Sequence, residues 1–365
     1  MQKDPKVEIM NKSEITIALD AMGGDHGIKP NVKGALIAAN ANPVRILLVG
    51  NEMELKKSLS GASYPDGSIK IIHASDHIGM DEHPREALGE KPDASILVAA
   101  RLVQEGKADA LVSAGSTGSV VLAAAKYLSR IHGVRRTAIA TVYPTLNEFK
   151  KNDHLALMLD VGANVRCEAE ELVQFAIMGA AYVTEVRDEA NPSVALLNIG
   201  EEATKGGERM KSAYQLLNNT QNLNFIGNVE GKDILRGIVD VVVTEGFVGN
   251  IVIKTLEGAA KSVSLLTKMA FKARLAWKLG LFFLRKALTF LKEVTDYSEY
   301  GGAPLLGFDK IVIIAHGRSS DKAISNAIKV AGKCVRDDIC GKIEKQIREF
   351  ESLSGLEYER IGREY

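Results

Sequence analysis

The sequence holds 365 residues, 46% of them apolar and 25% charged, with Lys+Arg and Asp+Glu tied at 46 each. That balance excludes a disordered acidic or basic chain and a surface given over wholly to nucleic acid. Its three cysteines, Cys167, Cys334 and Cys340, lack CxxC spacing; this excludes a disulfide framework or zinc ribbon and points to a reducing compartment.

Residues 1–14 are polar and charged without an apolar core, and no run reaches the ~18 apolar residues that span a bilayer. A cytoplasmic location is therefore expected, with 1–13 as a tail. Short β-branched runs then alternate with longer amphipathic ones. Strands are expected at 14–19, 45–49, 69–73, 109–113, 137–142, 154–159, 194–199, 223–226, 239–244 and 310–315. Helical periods fit 92–105, 118–131, 167–187, 207–219, 249–293 and 320–352. VALLNI, DVVVT and KIVIIA are apolar on both faces, as in strands covered by helices on both sides. The alternation predicts an α/β fold with a mostly parallel sheet. No composition shift or linker divides it, so one domain is expected over 14–350.

Ligands on such sheets bind beyond the carboxyl ends of strands, and five loops there stand out. Asp20-Ala21-Met22-Gly23-Gly24-Asp25-His26-Gly27 lets backbone N–H groups approach an oxyanion ahead of a helix start. The glycines alone would equally suit an ordinary βα turn; Asp20, Asp25 and His26 tilt the reading towards a site. Ser113-Ala114-Gly115-Ser116-Thr117-Gly118-Ser119 offers hydroxyls and amides to a phosphate, or simple N-capping by Ser116 or Thr117. In the third loop, after 194–199, Lys205 precedes two glycines. Asn250, ending the loop from Thr244, either caps a helix or polarises a carbonyl. The last loop, His316-Gly317-Arg318-Ser319-Ser320, again suits an anion.

Other chemistries lack their signatures: there is no GxxxxGK[ST], GxGxxG, GxSxG or HExxH. His73, Asp76, His77, Asp81, Glu82 and His83 match no metal-ligand spacing and are interrupted by Pro84, so they are read as a solvated turn. No cysteine sits beside a plausible base, which disfavours a thiol nucleophile.

Residues 261–292 carry eight lysines and arginines and no acid. Beyond Gly280, Arg285, Lys286, Thr289 and Lys292 fall at helical spacing among Leu281, Phe282, Phe283, Leu284, Leu288, Phe290 and Leu291, and Trp277 precedes them. An interfacial helix needs this combination, with Trp277, Leu281, Phe282, Phe283, Arg285 and Lys286 at its tip. A buried dimerisation helix would show it too, and the two readings can coexist.

Together these segments resemble the bacterial phosphate acyltransferase family that begins phospholipid synthesis. The resemblance rests on DAMGGD (20–25), GSTGS (115–119), LDVGAN (159–164), LLNIGEE (196–202), FIGNVEG (225–231), DVVVTEGFVGN (240–250), YGGAPLLG (300–307) and HGRSS (316–320). Departures are Ser116 and Glu245, where the family more often has Asn and Asp, and Gly89 in a less basic 84–95. The resemblance implies a three-layer α/β/α fold akin to the isocitrate/isopropylmalate dehydrogenase group, with long projecting amphipathic helices at about 250–295. It implies a homodimer, peripheral attachment to an anionic membrane surface, and acyl transfer from acyl-(acyl-carrier protein) to inorganic phosphate. The acyl-phosphate would pass to an integral-membrane glycerol-3-phosphate acyltransferase. Lys205 and Asn250 would be the catalytic pair, with phosphate or substrate held by Asp20, Gly23, Gly24, His26, Gly115, Ser116, Thr117, Gly118 and His316. No metal, organic cofactor or nucleic acid is called for. A soluble phosphotransacylase using coenzyme A thioesters and an inactive membrane scaffold are the alternatives; a dehydrogenase lacks its dinucleotide fingerprint.

Overall fold

The computed structural model describes residues 15–146, 154–273 and 301–354. The first block runs β1 (Ile15–Asp20), α1 (Ile28–Ala41), β2 (Val44–Gly50), α2 (Glu52–Leu59), β3 (Ile69–His73), α3 (Pro84–Glu90), α4 (Ser95–Gln104), β4 (Ala110–Ser113) and α5 (Thr117–Tyr127). The second holds β5 (Ala138–Pro144), β6 (Leu155–Leu159), α6 (Ala169–Arg187), β7 (Ser193–Leu197), α7 (Gly207–Asn219), β8 (Asn224–Val229), β9 (Val241–Val243) and α8 (Gly246–Ala273). The chain returns through β10 (Ala303–Leu306), β11 (Ile311–Ile314), α9 (Asp321–Arg336) and α10 (Ile339–Ser354).

These strands form one sheet in the order β3-β2-β1-β4-β11-β10-β5-β6-β9-β7-β8. Their alternate residues feed two separate cores, because successive side chains on a strand point to opposite faces. Ile17, Leu19, Val241 and Val243 pack on one face with α1, α6, α9 and α10. Ala18 and Val242 pack on the other with α4, α5 and the start of α8. Helices on both faces make the expected three layers.

The structure differs from the sequence reading in local ways. Helices α1, α2 and α3 and strand β10 fall where no element was expected. In α1 the core face is built largely of Ala35, Ala38, Ala39 and Gly34, which gives little apolar contrast. Gly34 is needed for packing: a Cβ there would lie 2.5 Å from Cβ of Ile324 on α9. The helix expected over 320–352 is two helices, broken at Asp338, which adopts φ 49° and accepts the Gly341 N–H on its carboxylate at 3.2 Å. The expected helix over 249–293 begins at Gly246 and is described to Ala273. The tail 1–13 and the tip residues Trp277, Leu281, Phe282, Phe283, Arg285 and Lys286 lie outside the described residues.

Strand polarity determines where the loops meet. β1, β2, β3, β4 and β11 are mutually parallel, as are β6, β9, β7 and β8. Three antiparallel pairings, β11–β10, β10–β5 and β5–β6, separate the groups, so the second group runs opposite to the first. Six strand steps separate β1 from β9. At roughly 20–25° of twist per step they accumulate about 120–150°, which swings the reversed carboxyl ends back towards those of the first group.

Candidate active site

The first concentration of chemistry lies beyond β1 and β4, whose neighbours β2 and β11 lead away on either side, a topological switch point where ligands commonly bind. Three loops pack backbone to backbone there. A Cβ on Gly23 would lie 2.7 Å from Gly115 N, so only glycine lets the first two loops touch. The Asp25 N–H donates to Gly317 O at 2.7 Å and joins the loop after β11 to them. Gly24 sits at φ 101°, a conformation that favours glycine, with Ala114 and Gly317 against it.

Asp20 is buried and serves as an internal post. Its carboxylate accepts from Ser113 Oγ at 2.7 Å and from Met22 N–H at 3.2 Å, while Ser113 Oγ accepts the Gly115 N–H at 3.0 Å. Burial pushes its pKa up, opposed by the Ser95 and Ser113 hydroxyls and by the Met22 and Gly23 amides. Asn31 on α1 grips the same loop, donating to the carbonyls of Ala21, Gly23 and Gly27 at 2.8–3.2 Å. Ser116 caps α5, accepting the Ser119 N–H at 3.3 Å. This leaves the N–H groups of Thr117 and Gly118, at the positive end of α5, without a partner among the described residues.

The second concentration follows β6, β7 and β9. Asp160, fully buried, accepts backbone N–H groups from Ile139, Gly162, Ala163 and Asn164, and the Asn164 amide, at 2.7–3.1 Å. A Cβ on Gly249 would collide with the Asp160 carbonyl oxygen, so the start of α8 packs directly on this loop. Asn250 lies exposed one turn into α8 and donates to Val161 O at 3.1 Å. It therefore does not cap the helix. Lys205 is 48% exposed, with Nζ 3.8 Å from Glu202. Arg209, in the first turn of α7, pairs with Glu245 at 2.7 Å, bridging the Lys205 loop and the approach to α8.

Helix α8 links the two concentrations. Seven residues beyond Asn250, a rise of about 10 Å, lies the buried Glu257, whose charge acts on His316 in the loop after β11. Burial holds the His316 pKa below its usual value; Lys254 and Lys261 act in the same direction, and Glu257 and Asp25 oppose it. The Nδ1 of His316 accepts the Arg318 N–H at 3.1 Å, which assigns the proton of the neutral ring to Nε2. Arg318 also pairs with Asp25 at 3.4 Å.

Of the residues singled out from sequence, Gly23, Gly24, Gly115, Ser116, Thr117, Gly118 and His316 share the first concentration, with Asp20 beneath them and His26 exposed beside them. Lys205 and Asn250 share the second. Sequence reasoning missed Asn31, Asp160 and Arg209; Asp160 alone stood inside a quoted motif, as an acid opening a glycine-bearing loop after an apolar strand. Cys167, Cys334 and Cys340 have their thiols pushed up to about 12 by burial, far from a reactive thiolate. The residues from His73 to His83 do not gather as metal ligands among the described residues. Glu201, Glu230 and Asp233 do cluster, with Lys232 seated on Glu201 and Glu230 as their counter-charge.

A family described as "Fatty acid synthesis protein" matches residues 15–342. Proteins named phosphate acyltransferase are close in sequence: that of Dictyoglomus turgidum is 48% identical over 90% of this chain and 96% of its own. That of Desulfitobacterium hafniense is 48% identical over 92% and 98%. Among solved structures, a phosphotransacetylase from Streptococcus pyogenes shares the fold, with a TM-score of 0.60 at 17% identity over 89% of this chain and 95% of that one. With a family match across most of its length and relatives 48% identical over nine-tenths of it, this chain belongs to the phosphate acyltransferases.

Proposed function

We propose that this acyltransferase moves a long-chain fatty acyl group reversibly from acyl-(acyl-carrier protein) to inorganic phosphate, giving acyl-phosphate for glycerol-3-phosphate acylation in phospholipid synthesis. The observation that carries the reading is the packing of three glycine-bearing loops at the first switch point, beside the open N–H groups of Thr117 and Gly118. Backbone amides at a helix start suit an anion of this size. The family's description as a fatty acid synthesis protein supports a fatty acyl donor.

Phosphate dianion is already nucleophilic at neutral pH, so the protein must mainly position it and stabilise the oxyanion that forms. In this reading Gly24, His26, Thr117 and Gly118 contact phosphate. Asp20, Gly23, Gly115 and Ser116 act at one remove, since their polar groups hold the loops together. His316 offers its Nε2–H to the same anion. A phosphate oxygen bonds to the thioester carbonyl carbon, the tetrahedral oxyanion collapses, and the C–S bond breaks with the carrier thiolate leaving. Lys205 and Asn250 orient the reactants and stabilise the negative charge that develops.

The reading extends to a homodimer attached to the anionic inner face of the cell membrane. There a hydrolytically labile product would reach an integral-membrane acyltransferase. Phe247, Ile251, Val263, Leu265, Leu266 and Met269 of α8 are 51–64% exposed, apolar surface that a second subunit or lipid would cover. The test of the chemistry is product identity. Purified protein with palmitoyl-(acyl-carrier protein) should form palmitoyl-phosphate by mass spectrometry only when phosphate is supplied. Free palmitate alone would overturn the reading.

A further inference from the structure

Lys205 projects from a loop with no regular secondary structure, so its placement depends on what holds the backbone beneath it. Two asparagines at the carboxyl ends of neighbouring strands do so. Asn198 follows β7, and Asn228 lies one residue before the end of β8; the two strands are locked in register there by the Asn198 N–H donating to Val229 O at 2.8 Å. Asn228 donates through Nδ2 to Glu202 O at 2.9 Å, and Asn198 donates through Nδ2 to Lys205 O at 3.2 Å. Between these anchors the turn closes on itself, the Lys205 N–H donating to Glu202 O at 3.1 Å. Glu202 O thus receives two donors and the Lys205 carbonyl a third.

The fit is close on the far side as well. Gly206 adopts φ 87°, and a Cβ there would lie 2.5 Å from Asn198 Oδ1, so the chain leaves the turn pressed against the amide that grips it. Asn198 Oδ1 in turn accepts the Ile199 N–H at 2.8 Å, which fixes the orientation of that amide. Asn228 is buried, and its Oδ1 has no partner among the described residues. A buried amide with an unmet acceptor is held in place at a cost, which argues that its donor side matters.

We infer that Asn198 and Asn228 are positioning residues that fix the turn from Glu202 to Lys205, and through it the place of the Lys205 ammonium. The inference rests on the proposed catalytic role of Lys205.

The experiment is a pair of double-mutant cycles on the full chain, Asn228→Ala and Asn198→Ala each combined with Lys205→Ala, read in kcat and in KM for phosphate. Removing either amide is expected to lower kcat by ~10–100-fold, with KM for phosphate moved by no more than about twofold. In the Lys205→Ala background the same substitutions are expected to change kcat hardly at all. Should Asn228→Ala fail to fold, the half-buried Asn198 keeps the test open. Equal fold-losses in both backgrounds, or wild-type kcat in both single variants, would overturn the inference while leaving Lys205 catalytic. Wild-type turnover in Lys205→Ala would overturn the catalytic reading and this inference with it.

Discussion

Arg209 Nη2 and Glu245 Oε2 lie 2.7 Å apart and join the turn that follows Lys205 to the loop that opens α8 and leads to Asn250. Both side chains are about three-quarters buried, so water screens the pair less than a surface contact. Replacing Arg209 by Gln leaves Glu245 with a weaker, neutral donor. The expected outcome is a stability loss of about 1.5–3 kcal/mol in urea melts, with turnover falling by more than stability explains. Wild-type turnover and stability together would show that the bridge is ornamental.

Gly249→Ala tests the seat of α8 on the loop after β6. The added methyl meets the Asp160 carbonyl oxygen, and relief requires the helix start to move. Overpacking of this kind costs about 1–3 kcal/mol, and Asn250, the next residue, moves with it. A lowered thermal midpoint with strongly reduced kcat is expected. Gly258→Ala, exposed on the same helix with open space at its Cβ position, serves as the control. It should leave kcat unchanged while raising the midpoint slightly, since alanine favours the helix by about 1 kcal/mol over glycine.

Asp20 differs from the loop residues above it in being wholly internal. In Asp20→Ala, Ser113 Oγ and the Met22 N–H lose their acceptor, at about 1–3 kcal/mol for each buried group left unpaired. The first loop should then loosen against the second, seen as a raised KM for phosphate and a lower urea midpoint. An unchanged KM with an unchanged midpoint would contradict the structural role given to Asp20.

His316 gives the pH dependence its sign. Burial holds its pKa below the ordinary 6.5, so the ring is neutral at pH 7 and gains its proton as pH falls through that lowered value. Protonation puts a hydrogen on Nδ1 and ends its acceptance of the Arg318 N–H. Activity is therefore expected to be flat around neutrality and to fall on an acid limb below pH 6.5. The ratio of wild-type to His316→Gln turnover removes the titration of phosphate itself; a ratio constant with pH would contradict the assignment.

Much of this frame is legible in the sequence because buried strands of an α/β sheet carry a strong apolar signal, as in VALLNI and KIVIIA. The five glycine-, serine- or lysine-bearing loops follow from it directly. What escapes is whatever depends on partners distant in sequence. Nothing near α1 announces that Asn31 holds three carbonyls, because each acceptor is set by the fold of another segment. Asp160 reads as one acid in LDVGAN until five donors surround it. The antiparallel β10 escapes for the opposite reason: its APLL run contains Pro304, has no β-branched residue and is bracketed by Gly302 and Gly307, so it carries no strand signal. Together with the antiparallel β5–β6 pairing, its two antiparallel pairings reverse the second group of strands and make sheet twist part of the site.

The most direct measurement of the central claim is a parallel assay with palmitoyl-(acyl-carrier protein) and palmitoyl-coenzyme A, each with and without inorganic phosphate, following acyl-phosphate by mass spectrometry. The account predicts phosphate-dependent product from the carrier-protein thioester, and its loss by ~10²–10³ in Lys205→Ala and Asn250→Ala. Product from the coenzyme A thioester alone, or from neither donor, would contradict it.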